Sequence, residues 1–291
     1  MKIKAKHEIP LIDLLLGEFN NASRSSVKKI IQHGNITVNG KEITNPVTLI
    51  VPEDLVEYKK FRAPENTQNA PFPVLFEDDS IMVVEKRAGL LTYGERGTSG
   101  TSLYMMINDF LRERSKGKEK IFVVHRLDRE VSGILVFAKS EEIQEQIKEH
   151  WKETEKRYYA FVEGKPPQQE GTISSWLKEN KAQRVYTSRE SPDAKFAVTH
   201  YKVIKEFPDH TLLEIHIETG RKHQIRVHLS DLGCPIVGDR KYGADDKVKR
   251  RIRLHAYFLA IPHPVTGQRM EFQTRLTRGF QTLGENDEHY K

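Results

Sequence analysis

Residues 121–139 constrain the fold most, because they place a strongly charged loop between two short apolar runs. The runs, 121–124 and 134–137, are rich in β-branched residues and are typical of buried strands. The loop between them holds a lone aspartate, Asp128, with arginines on both sides. Loops between strands carry functional side chains into clefts, and nearby arginines would keep this carboxylate ionised. Asp128 is therefore a candidate reactive group, although a structural Arg–Asp pair would have the same sequence.

Strand-like segments recur through the rest of the chain and are mostly joined by short turns. Residues 212–217 alternate apolar and polar side chains, which predicts a strand with one face in solvent. Ser140 is the N-cap of a helix predicted over 141–151, and a second helix is predicted over 223–232. Many hairpin-linked strands with few helices predict an α+β fold with a mixed, mostly antiparallel sheet. Further strands are predicted at 158–162, 197–204, 254–261 and 270–273.

The N-terminal residues form a separate small α/β unit. Ser23 is suited to cap a helix and Gly34 to end it, so a helix is predicted between them. Asn39-Gly40, flanked by β-branched residues, predicts a hairpin with a type I′ turn. Residues 61–73 contain three prolines and little periodicity, which indicates a linker. The predicted division is a small domain at 1–60, a linker at 61–73 and a large domain at 74–291.

The charge of the chain is compatible with a polyanionic partner. The net charge is +6 and the pI about 9.1, which is typical of nucleic-acid-binding proteins but also of a merely basic surface. The single cysteine, Cys234, excludes an internal disulfide framework and fits a reducing compartment. No stretch reaches the ~20 apolar residues of a membrane span, and residues 1–8 lack the apolar core of a signal peptide. We therefore predict a cytoplasmic protein without a membrane partner.

A second charged segment follows a predicted strand at residues 219–228. After a turn at a glycine, a basic helix start follows with Arg221, His223 and Arg226. Helix N-termini and arginine side chains bind phosphates or carboxylates, and Arg221 is the residue that we predict to act here. His223 and His228 are five residues apart and face different sides of a helix, so no metal site is predicted.

Two further segments carry side chains suited to RNA. Tyr158 and Tyr159 are neighbours on a predicted strand, so one faces the core and the other a cleft, where its ring would stack on an extruded base. Plain core packing would give the same pattern. In the small domain, Arg24, Lys28 and Lys29 lie near one face of the predicted helix, although such a charged face is often only solvated.

Together these segments resemble the RluA family of pseudouridine synthases. The matching motifs are His-Arg-Leu-Asp-x-x-x-Ser-Gly at 125–133, Lys-x-Tyr-x-Ala-x-Val-x-Gly at 156–164, Thr-Gly-Arg-x-His-Gln-Ile-Arg-x-His at 219–228 and Gly-x-Pro-Ile-x-Gly-Asp-x-x-Tyr-Gly at 233–243. They occur in the family's order along the chain. Residues 9–58 are similar to the alpha-L RNA-binding module that a small-subunit ribosomal protein also contains.

The resemblance implies a catalytic role for Asp128, which would cleave the N-glycosidic bond of uridine before the base is rotated and rejoined through C5. It also implies that Tyr158 stacks on the uracil, that Arg221 pairs with the aspartate, and that Arg126 enters the RNA stack. No metal or cofactor is implied. Val131, where the family usually has threonine, is a departure close to Asp128. RNA is also predicted to be bound by His125, His223, Arg226, Arg24, Lys28 and Lys29.

The predicted function is therefore isomerisation of uridine to pseudouridine in structured RNA by a monomeric enzyme. Large-subunit ribosomal RNA is the first prediction for the substrate and transfer RNA the second. A non-catalytic RNA-binding or ribosome-assembly factor is an alternative, which the presence of both Asp128 and Arg221 disfavours. A hydrolase of glycosidic bonds is a third, and it usually needs paired carboxylates or an activated water. The sequence leaves open whether Asp128 attacks C1′ or removes a proton from C2′.

Overall fold

The computed structural model describes residues 2–19, 22–32, 34–58, 67, 69–94, 101–245, 251–276 and 280, and of Lys29 it describes only the backbone. Two units of different size follow each other along the chain, and both combine helices with sheets, as the α+β prediction requires. Most of the predicted linker, 61–73, lies outside the described residues. The predicted domain boundaries at 60 and 73 therefore stay predictions.

The small unit combines two short helices with a four-stranded antiparallel sheet of order β1-β6-β3-β4 and a pair β2-β5. Its predicted helix cap and turn are confirmed. Ser26 N donates to Ser23 Oγ at 3.1 Å, and Asn39 and Gly40 have φ angles of 51° and 78°, as a type I′ turn requires. The elements are β1 (Lys2–Lys4), β2 (Ile9–Pro10), α1 (Leu11–Glu18), α2 (Arg24–Gln32), β3 (Ile36–Val38), β4 (Lys41–Ile43), β5 (Leu49–Ile50) and β6 (Leu55–Tyr58).

The large unit is built on one extended sheet, covered on its faces by helices. Its elements are β7 (Val74–Glu77), β8 (Ile81–Lys86), α3 (Leu103–Ser115), β9 (Phe122–Val123), β10 (Ser132–Ala138), α4 (Glu141–Glu149), β11 (Glu155–Glu163), β12 (Glu170–Glu179), β13 (Val185–Ser188), β14 (Lys195–Glu206), β15 (His210–Ile217), α5 (Gln224–Asp231), β16 (Leu254–Pro262) and β17 (Arg269–Gln273). In the described residues the strand order is β13-β12-β14-β15-β11-β16-β10-β8-β7, with β17 on β16 and β9 on β10. The β10–β16 pair is parallel and the other described pairs are antiparallel, so the predicted mixed sheet is confirmed.

The central strands are buried on both faces. Residues 81–84 of β8 are all completely buried. Ile81 and Val83 belong to a cluster that includes α4 and side chains of the small unit, whereas Met82 and Val84 belong to one that includes α3 and α5. Neighbouring side chains of a strand point to opposite faces, and each buried aliphatic side chain contributes about 1.5–3 kcal/mol. The sheet is therefore a rigid support for the loops at its ends.

Gly133 allows β10 to approach β16 directly after the charged loop. Its φ is 129°, and a Cβ placed on it would lie 2.3 Å from Ala256 O and 2.6 Å from Ala256 N. A side chain does not fit in this space, so the parallel pairing of Gly133 with Ala256 depends on glycine. The C-terminal end of the charged loop is thus fixed by close backbone contact.

Some elements differ from the sequence predictions. The helix α3 and the strands β12 and β13 were not among the predicted elements, and the helix predicted over 223–232 begins at Gln224, because His223 has a left-handed backbone with φ of 53°. The predicted helix after Ser140 is confirmed: Ile143 N donates to Ser140 Oγ at 3.2 Å. None of the helices in the described ranges is long and apolar enough to cross a membrane.

Candidate active site

The charged loop between β9 and β10 places Asp128 at a small cavity of about 90 Å³. The other walls come from β11, from the end of β15 and from the turn that leads into α5, so segments that are distant in sequence meet here. Leu127 N donates to Thr92 Oγ1 at 3.1 Å, and Thr92 Oγ1 donates to Leu127 O at 2.9 Å, which fixes the loop beside Asp128. The polar side chains around the cavity are Arg126, Asp128, Tyr158, Arg221, His223, Gln224 and Arg226.

The partner of Asp128 is Arg226. Arg226 Nη1 donates to Asp128 Oδ2 at 3.0 Å, while its Nε and Nη2 donate to the two oxygens of Asp239 at 2.6 and 2.9 Å. The Arg226 and Asp239 side chains are almost completely buried, and that of Asp128 is 19% exposed. Burial alone disfavours the cation, but the hydrogen bonds and charges of Asp239 and Asp128 raise the pKa of Arg226. A two-point contact with Asp239 therefore holds Arg226 in place and directs its remaining N–H at Asp128.

The predicted pairing of Arg221 with Asp128 is wrong. Arg221 Nε donates to Phe196 O at 3.1 Å, and the side chain is exposed in the turn before α5. Arg226 lies inside α5, between the buried residues Ile225 and Val227, and points into the unit. The sequence contains a sign of this difference, since Arg226 is the arginine that stands between two β-branched apolar residues.

His223 also lies near the same carboxylate oxygen. Its Nε2 is 3.6 Å from Asp128 Oδ2, and its Nδ1 is 2.7 Å from the hydroxyl of Tyr242. Burial lowers the pKa of His223; Asp128 raises it in part, and Arg226 lowers it further. Asp239 and Tyr242 belong to the motif at 233–243, but no role was predicted for them, so they are missed residues of the site.

Tyr158 forms a wall of the cavity, as predicted. The ring is buried, while Tyr159 points to the other face of the sheet and stacks on Tyr257 with 3.9 Å between ring centroids. Burial, and then the charge of Asp128, raise the pKa of Tyr158. The phenol is therefore neutral at neutral pH, next to the carboxylate.

A buried lysine supports the same loop from behind. Lys86 is completely buried, and its Nζ donates to the carbonyl oxygens of Leu90 at 2.7 Å and of Arg87 and Arg129 at 3.1 Å. Burial lowers the pKa of Lys86 to about 8, although Asp128 and Glu130 oppose the shift. Lys86 was not predicted from the sequence, and it connects β8 to the loop that carries Asp128.

His125 does not reach the cavity, contrary to its predicted role in substrate binding. Its Nε2 accepts a hydrogen bond from Val136 N at 3.1 Å, and its ring contacts Trp151 with 4.9 Å between centroids. Burial, with a smaller effect of Lys156, lowers the pKa of His125 to about 3. The ring is neutral and packs on Trp151, whereas the next residue, Arg126, is exposed at the mouth of the cavity.

The predicted RNA-binding residues of the small unit lie on α2. Arg24 is exposed and forms an ion pair with Asp13 at 2.7 Å, and Lys28 is exposed. The side chain of Lys29 lies outside the described residues. In the described part of the chain, no group of three or more histidine, cysteine, aspartate or glutamate side chains has a geometry suited to a metal ion.

Comparison with known proteins matches both units. Residues 80–231 match the model of the RNA pseudouridylate synthase family, and residues 12–56 match that of the S4 domain. A protein of Aquifex aeolicus described as an RNA pseudouridine synthase is 32% identical, over 97% of this chain and 95% of its own. The ribosomal large subunit pseudouridine synthase D of Vibrio cholerae is also 32% identical, over 87% of this chain and 83% of its own.

A solved structure gives the same result for the fold. Human RNA pseudouridylate synthase domain containing 4 superposes with a TM-score of 0.61 and 26% identity, over 72% of this chain and 90% of its own. The matched segment 80–231 includes the Asp128 loop, Tyr158 and Arg226, which together build the cavity. The chain therefore belongs to the RNA pseudouridylate synthase family and is an RNA-modifying isomerase with an S4 RNA-binding domain at its N-terminal side.

Proposed function

We propose that the protein converts uridine to pseudouridine in large-subunit ribosomal RNA, with Asp128 as the catalytic aspartate. The observation that carries this proposal is the state of the Asp128 carboxylate. Arg226 holds Oδ2, and among the described residues no donor reaches Oδ1, which is therefore available to a substrate in the cavity. A carboxylate that is fixed through one oxygen and open at the other is suited to act on a bound ribose.

The reaction needs no other reactant, because uridine and pseudouridine are isomers. The N1–C1′ bond breaks, the uracil turns within the site, and a C5–C1′ bond forms. The proton of C5 is lost and N1 gains one, so the balance closes without water or a cofactor. Asp128 Oδ1 would act on the sugar, as a nucleophile at C1′ or as a base at C2′.

Two further side chains support this proposal by their positions. The buried, neutral Tyr158 forms a wall of the cavity on which the detached uracil can stack while it turns. Arg126 is exposed at the mouth, beside Asp128 in the same loop, where it can take the place of the extruded nucleotide in the RNA. Extrusion is required because the reacting atoms are not accessible within a stacked strand.

The choice of ribosomal RNA rests on the relatives and on the S4 domain. Two relatives that match most of this chain are described as ribosomal large subunit pseudouridine synthase D. The positive net charge and the exposed Arg24 and Lys28 of the small unit suit a structured polyanion. We propose that the small unit, residues 1–60, contributes affinity and that residues 74–291 contribute the chemistry.

Tritium release from RNA labelled at C5 of uridine tests the proposal. Wild type, Asp128→Asn and the matched control Asp193→Asn, an exposed aspartate, are compared on large-subunit rRNA and tRNA transcripts. We expect release from rRNA with wild type and the control, and a loss of at least about a thousandfold with Asp128→Asn. Full activity of Asp128→Asn would refute the catalytic assignment. Release from tRNA alone would refute the substrate assignment, and free uracil as the product would indicate a hydrolase.

A further inference from the structure

We infer that His223 is a positioning residue for Asp128, and that Tyr242 selects the ring tautomer in which the proton is on Nε2, directed at Asp128 Oδ2. The inference deepens the proposed function, because it gives a reason why Asp128 presents one particular oxygen to the substrate. It assigns to His223 a role other than the RNA contact predicted from the sequence.

The hydrogen bonds of Tyr242 determine the tautomer. Within the described residues the Tyr242 hydroxyl has two partners, Val185 N at 3.1 Å and His223 Nδ1 at 2.7 Å. A backbone N–H can only donate, so the hydroxyl oxygen accepts from Val185 and its single proton is free for His223. If the oxygen accepted from Nδ1 as well, the buried hydroxyl proton would have no acceptor among the described residues. The arrangement that satisfies this proton makes Nδ1 the acceptor and puts the proton of a neutral ring on Nε2.

The ring of His223 is neutral at neutral pH, which makes the choice of tautomer meaningful. Burial lowers its pKa, and the cations Arg226, Lys241 and Lys222 act in the same direction, against the opposing charge of Asp128. A neutral imidazole has one N–H, whereas the protonated ring would have two. The contact with Tyr242 therefore decides which nitrogen is the donor.

The Nε2–H then lies on the same side of the carboxylate as Arg226. Nε2 is 3.6 Å from Asp128 Oδ2, too long for a hydrogen bond, and Arg226 Nη1 is 3.0 Å from the same oxygen. Contacts of this kind often tighten only when the substrate is bound. Once His223 Nε2 moves within hydrogen-bond distance, Oδ2 has two donors, which prevent the carboxylate from turning and keep Oδ1 towards the cavity.

The backbone of His223 has an uncommon conformation that serves this geometry. Its φ of 53° lies in the left-handed region, which few non-glycine residues adopt, although histidine is found there more often than most. This conformation ends the turn after β15 and begins α5 at the next residue. Residues in this region persist where the surrounding structure holds them, often at functional sites.

Two substitutions separate a positioning role from a merely structural one. In His223→Gln the amide nitrogen can reach the place of Nε2, whereas in His223→Asn the amide reaches only the place of Nδ1 and can keep the contact with Tyr242. If only the backbone mattered, the Asn variant would be the less perturbed of the two, since asparagine adopts the left-handed conformation more readily than glutamine. We expect the rate of product formation, with enzyme in excess over RNA, to be at least about fivefold higher for Gln than for Asn. An equal or reversed order would overturn the inference.

The tautomer itself is measured by NMR on wild-type protein with ¹⁵N-labelled histidine. The signal of His223 is assigned from its absence in His223→Gln or, if that variant does not fold, from its change in Tyr242→Phe. We expect a protonated Nε2 and an unprotonated Nδ1, and a mixture of tautomers in Tyr242→Phe. A proton on Nδ1 in wild type would overturn the inference even if every variant were unstable.

The two proposals fail in different ways. The NMR result does not depend on activity. The control for the rate measurement is His150→Gln, which replaces a histidine that lies outside the cavity and pairs with Glu153 at 2.7 Å; it should keep the wild-type rate. Full activity of Asp128→Asn would remove the proposed function. Suppose instead that Asp128→Asn is inactive. A proton on Nδ1 of His223 in wild type, or a faster rate of product formation for His223→Asn than for His223→Gln, would then remove only the role of His223.

Discussion

Two clusters of buried charges in the same unit differ in how completely their carboxylates are paired. Glu77 at the end of β7 is saturated: Arg114 donates to both of its oxygens at 2.9 and 2.6 Å, and Lys139 lies 2.6 Å from Oε1. Asp128 accepts a hydrogen bond from Arg226 at Oδ2, which also has His223 Nε2 at 3.6 Å, and in the described part of the chain no donor reaches Oδ1. Each cluster places a carboxylate beside an arginine and a second basic side chain, which is Lys139 at Glu77 and His223 at Asp128.

The difference shows how one kind of ion pair serves two purposes. Burial alone would raise the pKa of Glu77, but the hydrogen bonds and charges of Arg114 and Lys139 lower it overall, so this carboxylate stabilises the fold as an anion. Oδ1 of Asp128 has no donor among the described residues and is available to a ligand. Saturated pairing suits a structural carboxylate, and open pairing suits the role proposed for Asp128.

The largest effect is expected for Glu77→Gln, which removes the anion between Arg114 and Lys139. Two mostly buried cations lose their buried partner and keep only the more exposed Glu119, and we expect the free energy of unfolding to fall by about 3 kcal/mol. Urea unfolding followed by circular dichroism measures the change. The rate of product formation by the folded variant should stay within about twofold of wild type. A tenfold lower rate would break the distinction between the two clusters.

The next effect is expected for Arg226→Lys, because an ammonium group cannot contact Asp239 at two points and Asp128 at a third. We expect the rate with enzyme in excess over RNA to fall about a hundredfold, which corresponds to about 2.7 kcal/mol. Arg114→Lys is the matched control at the saturated cluster, and it should lower the melting temperature without a change in this rate. Equal losses of rate in both variants would show that Arg226 acts only through the fold.

A smaller effect is expected from acid. The pKa of Glu77 is lower in the folded state than its ordinary value of 4.5, so its contribution to stability is present above that pH and is lost as the pH falls. The difference in unfolding free energy between wild type and Glu77→Gln should therefore shrink below pH 4.5, by at most about 1.4 kcal/mol per pH unit. A difference that stays constant down to pH 3 would contradict a lowered pKa of Glu77 in the folded state.

The smallest effect on stability is expected at the exposed pair of Arg24 with Asp13, which extends the comparison to the surface. The double variant Arg24→Ala, Lys28→Ala should change the free energy of unfolding by less than about 1 kcal/mol. Its affinity for RNA should fall, and the slope of log affinity against log salt should decrease by about 1 for each lost phosphate contact. Lys165→Ala, on the large unit, is the control. An unchanged salt slope would exclude α2 from the RNA interface.

Local signals in the sequence predicted much of the fold. Ser23, Ser140 and Asn39-Gly40 act through contacts within a few residues, so their cap and turn geometries could be read directly from the sequence. The alternation over 212–217 likewise predicted the half-buried strand β15. The helix α3 carries comparable signals, with Ser102 as its cap and apolar residues at helical spacing, but it was not recognised. The strand β12 has few apolar residues, because part of it is exposed.

The site was predicted less well, because its contacts join distant segments. Asp128 and Tyr158 stood out by their local patterns. The choice between Arg221 and Arg226 depended on where α5 begins, and therefore on the left-handed backbone of His223, which no local pattern indicated. Asp239 lies in a basic tract and is recognised as a partner only once the fold brings it to Arg226.

The parallel pairing of β10 with β16 has a consequence for synthesis of the protein. Ser132 and His255, which are hydrogen-bonded at 2.8 Å, are 123 residues apart in the chain, and Asp128 and Arg226 are 98 apart. Contacts between such distant segments form late in folding, because a long loop must first close. A nascent chain can fold its S4 domain and bind RNA long before β16 leaves the ribosome. Binding is thus expected to precede catalytic competence during translation, and only a chain that includes β16 can modify its target.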